Sequence, residues 1–305
     1  MLAALTKELP GRVWEGKESL LPAVADVVEK CPVAALTFGG GEVVAALVAE
    51  ATRKKSSYRE AALRALDRSL AALAPPTVPG GPGGEPGGYA EVEGSNPVVD
   101  FFPAVFPLLR DALDPTSDSA DASVDNPASE DRSTAGATSR EMEEEAHRRA
   151  SEAKAGGAVA ESALGCLATL CAGATARGSM DEVASVVARI ASAAMAPAHP
   201  WTRRAAGLRV VAALARRSAT LGSEPRMVEG WLVPVGDAMR ECAGDPRVSQ
   251  LRCVAAEAMG ASARALASGS VARAALVKTL EEMRDGDRAA DVRGAAHRSL
   301  TDALS

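Results

Sequence analysis

The chain has 305 residues, 47% of them hydrophobic and only 3% aromatic, and a formal net charge of −6 at pH 7. Ala, Leu and Val dominate and strand-type runs of Ile, Val, Thr and Tyr are missing, which favours an all-α protein. Ten acids against Arg132 and Arg140 give residues 114–145 a net charge of −8. The remainder, with 32 bases against 30 acids, is close enough to neutral to give no call for nucleic acid or an anionic membrane.

Five cysteines, Cys31, Cys166, Cys171, Cys242 and Cys253, lie inside helical patterns with no C-x-x-C spacing. They read as reduced, buried thiols and not as zinc ligands or disulfides. The opening MLAALTKELPGR is too short and too soon charged for a secretory signal. Leaving aside a run that leads into a Pro/Gly linker, the longest uncharged stretch is Ser162 to Ala176. At about 15 residues it falls short of the roughly 20 a bilayer needs, so no integral membrane segment is expected. A soluble protein of the cytoplasm, with the nucleus as a second location, is the expectation.

Leu2 to Glu8 predicts a short helix that ends at the Pro10-Gly11 turn. In RVWEGKESLLPAVADVVEKC, Leu20, Val24, Val27, Val28 and Cys31 share one helical face. Pro22 should kink that helix or delay its start, since an interior proline costs about 3 kcal/mol. The run TFGGGE at 37–42 predicts a loop; without a preceding strand or a following GK[ST] it is no phosphate cradle. Glu42 to Ala51 and Ser57 to Leu73 form the next helix pair, and Arg53-Lys54-Lys55 between them reads as a solvated corner.

Residues 75–96 are too rich in Pro and Gly for a regular element and read as a flexible linker. Residues 97–113 resume a helix, with Val98, Phe102, Val105, Phe106 and Leu109 apolar. Residues 114–145 are acidic, Ser-rich and nearly free of large apolar side chains, so a disordered insert is expected. From 146 to 305 the chain reads as helix after helix, joined by short connections that end in proline. Among these, PWTRRAAGLRVVAALARR at 200–217 carries apolar residues on two arcs. Trp201, Leu208, Val211, Ala212 and Ala215 form one, and Ala206, Val210, Ala213 and Leu214 the other. A helix apolar on two flanks has to sit between neighbours.

A short core recurs: Arg59-x-x-Ala62, Arg203-x-x-Ala206, Arg252-x-x-Ala255 and Arg293-x-x-Ala296. Ala163 keeps the period without the arginine. Once 75–96 and 114–145 are removed, the spacings average about 45 residues, the period of HEAT and armadillo repeats. Apolar-apolar-Pro-apolar also recurs, as Val105-Phe106-Pro107-Leu108 and Leu232-Val233-Pro234-Val235. The expected fold is an α-solenoid of HEAT/armadillo-type antiparallel helix pairs with two disordered inserts. Five pairs and an N-terminal half-repeat fall into repeats at 1–74, an interrupted repeat at 97–113 and repeats at 146–305.

No reaction chemistry emerges. His147, His199 and His297 belong to different repeats, so no metal is expected. G-x-S-x-G, H-E-x-x-H and a strand-borne GxGxxG are absent. The reading is a non-catalytic protein without catalytic, cofactor-binding or metal-binding residues. Arg203, Arg209, Arg216 and Arg217 cluster within about 140° of one helix at 100° per residue and offer a basic face for an acidic partner, against the plainer reading of solvent contact.

One stretch is more specific than the repeats. Leu9 to Leu21 carries Gly11-Arg12-x-Trp14-x-Gly16-Lys17-Glu18 and resembles the signature near the C-terminus of the proteasome adaptor and scaffold family, a HEAT-repeat family. Tyr58-Arg59, Phe106-Pro107-Leu108-Leu109-Arg110 and a Trp201-containing repeat follow in similar order. The resemblance implies a non-catalytic adaptor for the 26S proteasome, acting in its assembly, stability or quality control, and proteasome subunits as partners. The two inserts, and the absence of the family's long N-terminal solenoid, depart from it. Trp14 is expected to plug a joint between repeats, Gly16 to permit close approach, and Lys17 and Glu18 to open the helix. A transport receptor or an assembly chaperone is the alternative.

Overall fold

The computed structural model describes residues 2–11, 14, 16–73, 101–113, 139–173 and 177–304, and every regular element among them is helical. In chain order these are α1 (Leu2–Glu8), α2 (Leu20–Lys30, entered through a 3₁₀ turn at Lys17–Ser19), α3 (Pro32–Phe38), α4 (Gly40–Ala51) and α5 (Ser56–Leu73). Then follow α6 (Phe102–Leu113), α7 (Ser139–Gly173), α8 (Arg177–Ala194) and α9 (Trp201–Leu221). The last four are α10 (Pro225–Ala243), α11 (Ser249–Ala265), α12 (Val271–Gly286) and α13 (Ala290–Leu304).

Two layers result. Helices α2, α5, α7, α9, α11 and α13 pack side by side in that order, and α4, α6, α8, α10 and α12 form a parallel row. Each member of the second row also packs on the helix that follows it in the chain, which makes five helix pairs after a half-repeat. Pro107 and Pro234 fall inside α6 and α10, the first helices of their pairs, while the four Arg-x-x-Ala cores fall in second helices. The chain is an all-α solenoid. Its middle follows from α9, which packs against α7, α8, α10 and α11 and buries Ala205 to Leu208 and Val210 to Ala215. That is the two-flank pattern realised, except for Trp201, which is 42% exposed.

The repeats are tied together by buried ion pairs. Arg204 Nη1 donates to Asp245 Oδ2 at 2.9 Å, while Arg252 donates to both oxygens of Asp287 at 2.8 and 3.0 Å. Each aspartate sits in the turn between the helices of the next pair and accepts backbone N–H groups there. Asp245 takes those of Arg247 and Val248, and Asp287 that of Ala289. Arg252 Nη1 also reaches the Asp245 carbonyl at 2.8 Å, and Arg293 Nη1 the Asp287 carbonyl at 2.8 Å. A guanidinium from one repeat thus fixes the turn of its successor. The repeat register is therefore set by Arg204 and not by Arg203, which stands about 100° away on the helix and is half-buried.

Several expectations are corrected. Helix α2 buries Leu21, Val24, Ala25 and Val28, a face turned by roughly one residue from the expected one; Leu20 and Val27 are half-buried and Cys31 is exposed. The expected loop at 37–42 is a single-residue break at Gly39, because Pro32–Phe38 is itself a helix and α4 starts at Gly40. Helix α7 begins at Ser139, so the last seven residues of the expected insert, 139–145, have helical backbone. Cys253 is only half-buried. The linker 75–96 and residues 114–138 lie outside the described residues.

Within α7, Lys154–Gly173 does reach the length and hydropathy of a membrane span, with Lys154 at its start and Glu161 inside it. In the solenoid it is packed between α5 and α9, with α6 beside it.

Candidate functional site

Two places concentrate polar chemistry. At the N-terminal end Lys17, from the Gly11-to-Glu18 run, joins Glu50 and Tyr58 in a buried cluster. Gly16 holds φ at +89°, a conformation that side-chain-bearing residues avoid, and turns the chain into the 3₁₀ start of α2. That turn drives Lys17 fully inside, where its Nζ sits 3.1 Å from Glu50 Oε2 and 5.9 Å from the Tyr58 ring centroid. The Tyr58 hydroxyl donates to the same Glu50 oxygen at 2.6 Å. Arg53 Nη2 donates to Glu50 Oε1 at 2.9 Å and to the Gly11 carbonyl at 2.8 Å. Burial pushes the Glu50 carboxyl up, but the hydrogen bonds from Arg53, Tyr58 and Lys17 outweigh it and hold the pKa below its usual range. Burial, and then the Glu50 carboxylate, drives the Tyr58 phenol well above its ordinary range.

The expected roles in this run change accordingly. Lys17 opens α2 and is also the cation of a buried network, while Glu18 pairs outside with Lys55 at 2.7 Å. Gly16 serves for its backbone angle: a Cβ there would meet only the Trp14 ring, at 3.5 Å. Trp14 plugs nothing; it is 52% exposed. Its flanking Arg12 lies outside the described residues. The Arg53-Lys54-Lys55 corner is tied at both ends, to Glu50 and to Glu18.

The second place is a groove across three neighbouring helices of the first row. Glu60, Arg64 and Asp67 of α5 form one wall, and Trp201, Thr202 and Arg209 of α9 the other. The floor is α7, where Ala158, Ser162 and Gly165 leave room and Glu161 supplies a charge. The space is about 380 Å³, within the range of ligand and side-chain pockets. Glu60 is paired with Arg64. Asp67 accepts from Thr169 Oγ1 at 2.5 Å and Glu161 from Thr202 Oγ1 at 2.6 Å, and neither has a cation partner among the described residues. Burial raises the Asp67 pKa, and the threonine bond offsets only part of that.

The four arginines of the expected basic face all lie on α9 and differ in exposure. Arg209 lines the groove, Arg216 is exposed, and Arg203 and Arg217 are half-buried. Sequence reasoning missed Asp67, Glu161 and Trp201 as neighbours. Asp67 is brought to Glu161 across the span 75–145, and no local signal marks that approach.

A smaller groove of about 330 Å³ lies between α10 and α12, with Val233 and Val271 exposed at its rim. Among the described residues no three His, Cys, Asp or Glu side chains converge as metal ligands. His199 is half-buried in the connection before α9, its pKa lowered by burial and by Arg203, and His297 is exposed on α13; the His147 side chain lies outside the described residues. Burial pushes the Cys171 thiol up to about 12 and Cys166 well above its usual value, so neither is a ready nucleophile at neutral pH.

No family description matches this sequence, and no curated protein matches it. Solved structures do resemble the fold. A designed armadillo repeat protein superposes with a TM-score of 0.59 at 11% identity, covering 99% of this chain and 100% of that one. A second designed armadillo repeat protein, in complex with the peptide (KR)4, gives 0.60 at 10% identity with 99% of each chain covered. An engineered protein gives 0.55 at 13% identity, covering 99% of this chain and 98% of the other. At such identities the likeness is one of fold.

Proposed function

We propose that this chain is a non-catalytic, protein-binding solenoid and, more finely, a proteasome-binding adaptor segment that serves 26S assembly, stability or quality control. The observation that carries the coarser part is the α5–α7–α9 groove, an open trough on stacked helices with an exposed indole and charged walls. A solenoid offers long surfaces of this kind without an enclosed reaction site. The finer part is supported by the Gly11-to-Glu18 run and the order of landmarks after it. Proteasome subunits are the partners under this reading, Arg209 and Arg216 meet acidic groups on them, and the cytoplasm and nucleus are where the chain works. Neither nucleic acid nor membrane insertion enters it.

Purified 26S proteasome is expected to bind the purified chain with saturable, stoichiometric affinity in surface plasmon resonance. A second reading, a transport receptor or assembly chaperone, is favoured by the groove carboxylates, which have no cation partner among the described residues, and by the (KR)4 complex of the second designed protein. Binding of a small GTPase or a basic signal peptide, with no response to proteasome, would decide for that alternative.

A further inference from the structure

Resting on the reading of the chain as a protein-docking solenoid, we propose that the α5–α7–α9 groove seats a lysine or arginine side chain of an extended partner segment, on the face of Trp201 and against Glu161. Three independent features converge there. The first is depth: Ala158, Ser162 and Gly165 on α7 put no large side chain between the two walls. Gly165 stands beside Asp67, whose Oδ2 would be 3.7 Å from a Cβ at that position.

The second feature is the indole. Trp201 is the first residue of α9 and remains 42% exposed, while Ala205, Ala206 and Leu208 just after it are buried. Tryptophan left partly in water on a groove wall is the best aromatic face for a cation. The third is charge. Among the described residues Asp67 and Glu161 receive only threonine hydroxyls, and Glu60 is already engaged by Arg64. Asp67 is partly withdrawn from water without a cation among the described residues, and an incoming ammonium or guanidinium supplies the counter-charge for it and for Glu161. An acidic occupant would meet like charge, and an apolar one would offer neither carboxylate a counter-ion. Arg209 at the edge of the groove is placed to take an acidic or carbonyl group next to the basic residue on the same segment.

The test uses the full chain and fluorescein-labelled nine-residue peptides that alternate lysine with glycine, followed by fluorescence anisotropy. Counterparts carry Nε-acetyl-lysine or glutamate at the same positions. The lysine peptide is expected to saturate, and acetylation to weaken it at least tenfold. Trp201→Ala should weaken it about fivefold, the loss expected for a largely exposed cation–π contact. Glu161→Gln should weaken it by a similar factor. A zero-length carbodiimide cross-link from the peptide amine should map to Glu161 or Asp67. Circular dichroism melts confirm that both variants are folded, and Val233→Ser in the α10–α12 groove should bind as the parent does.

Equal affinity for the acetylated or glutamate peptide would overturn the proposal. So would binding that ignores both groove substitutions, or cross-links that fall only on the acids of 114–145. The two readings fail separately. Proteasome binding that survives in Trp201→Ala and Glu161→Gln while neither variant changes peptide affinity removes the subsite and leaves the adaptor. Peptide binding without proteasome binding removes the adaptor and leaves the subsite.

Discussion

Replacing Arg252 by Met is expected to cost about 3–5 kcal/mol of folding stability, because it strands one half of a buried ion pair. The Arg252 side chain is 6% exposed and that of Asp287 10%, so water cannot take over the role of the guanidinium. Methionine fills much of the same volume, which keeps a cavity from confounding the result. The Arg252→Met, Asp287→Leu double variant should recover most of the loss, since a buried pair replaced by apolar groups of similar size is often neutral. Asp287 adds a pH signature. The Arg252 hydrogen bond, and then the backbone N–H of Ala289, hold its pKa below the usual range. A carboxyl depressed in the folded state contributes stability that is present above its unfolded pKa and lost as pH falls through the folded one. The gap between parent and Arg252→Met should therefore be full at pH 7 and shrink as the solution is acidified below the ordinary aspartate range. Urea melts at pH 7 and pH 3 measure it; a gap that does not change with pH would assign the loss to packing alone.

Gly260→Ala is the second large effect, and here two terms oppose each other. Alanine is favoured over glycine in a helix interior by about 1 kcal/mol. Yet a Cβ on Gly260 would lie 2.7 Å from Ser299 Cβ and 2.9 Å from the Ser299 carbonyl oxygen, so α13 has to move off α11. Overpacking of this kind costs about 1–3 kcal/mol, and since the obstacle includes backbone the upper part of that range applies. A net loss of about 1–2 kcal/mol is expected. Gly230 in α10 is the control: nothing lies within 4 Å of its Cβ position, and Gly230→Ala should stabilise by about 0.5–1 kcal/mol. Both are read from thermal melts, and equal shifts of the same sign would mean that α11 and α13 do not approach as described.

The solenoid was legible because its signal repeats. Alanine-rich helices apolar on two flanks, prolines in first helices and arginines in second helices recur at a near-constant period, and each of these survives in the structure. What failed was local phase. The α2 face differs because the helix starts at Leu20, with Pro22 accommodated in its first turn instead of delaying it, and ends at Lys30. Cys31 falls outside it, and Leu21 and Ala25 complete the buried side with Val24 and Val28. Arg203 carries the Arg-x-x-Ala pattern while its neighbour Arg204, followed three residues on by Gly207, makes the ion pair; only the partner Asp245, 41 residues on, tells the two apart. Trp14 looked internal because tryptophan usually is; it lies outside because the turn that follows swings Lys17 inward instead. The groove was the least legible feature. Its walls are 134 residues or more apart in the chain, from Asp67 to Trp201, and an exposed tryptophan and two carboxylates lacking a cation carry no mark in one dimension.

The central claim is that a partner docks on the α5–α7–α9 face, and oxidative footprinting of the chain bound to purified 26S proteasome tests it most directly. Trp14 at 52%, Met227 at 43% and Trp201 at 42% exposure are three reporters of similar accessibility on different parts of the surface. Oxidation of Trp201 should fall several-fold on binding while Trp14 and Met227 continue to react as in the free chain. Protection of Trp14 or Met227 with Trp201 still fully reactive would contradict the account and move the docking surface elsewhere on the solenoid.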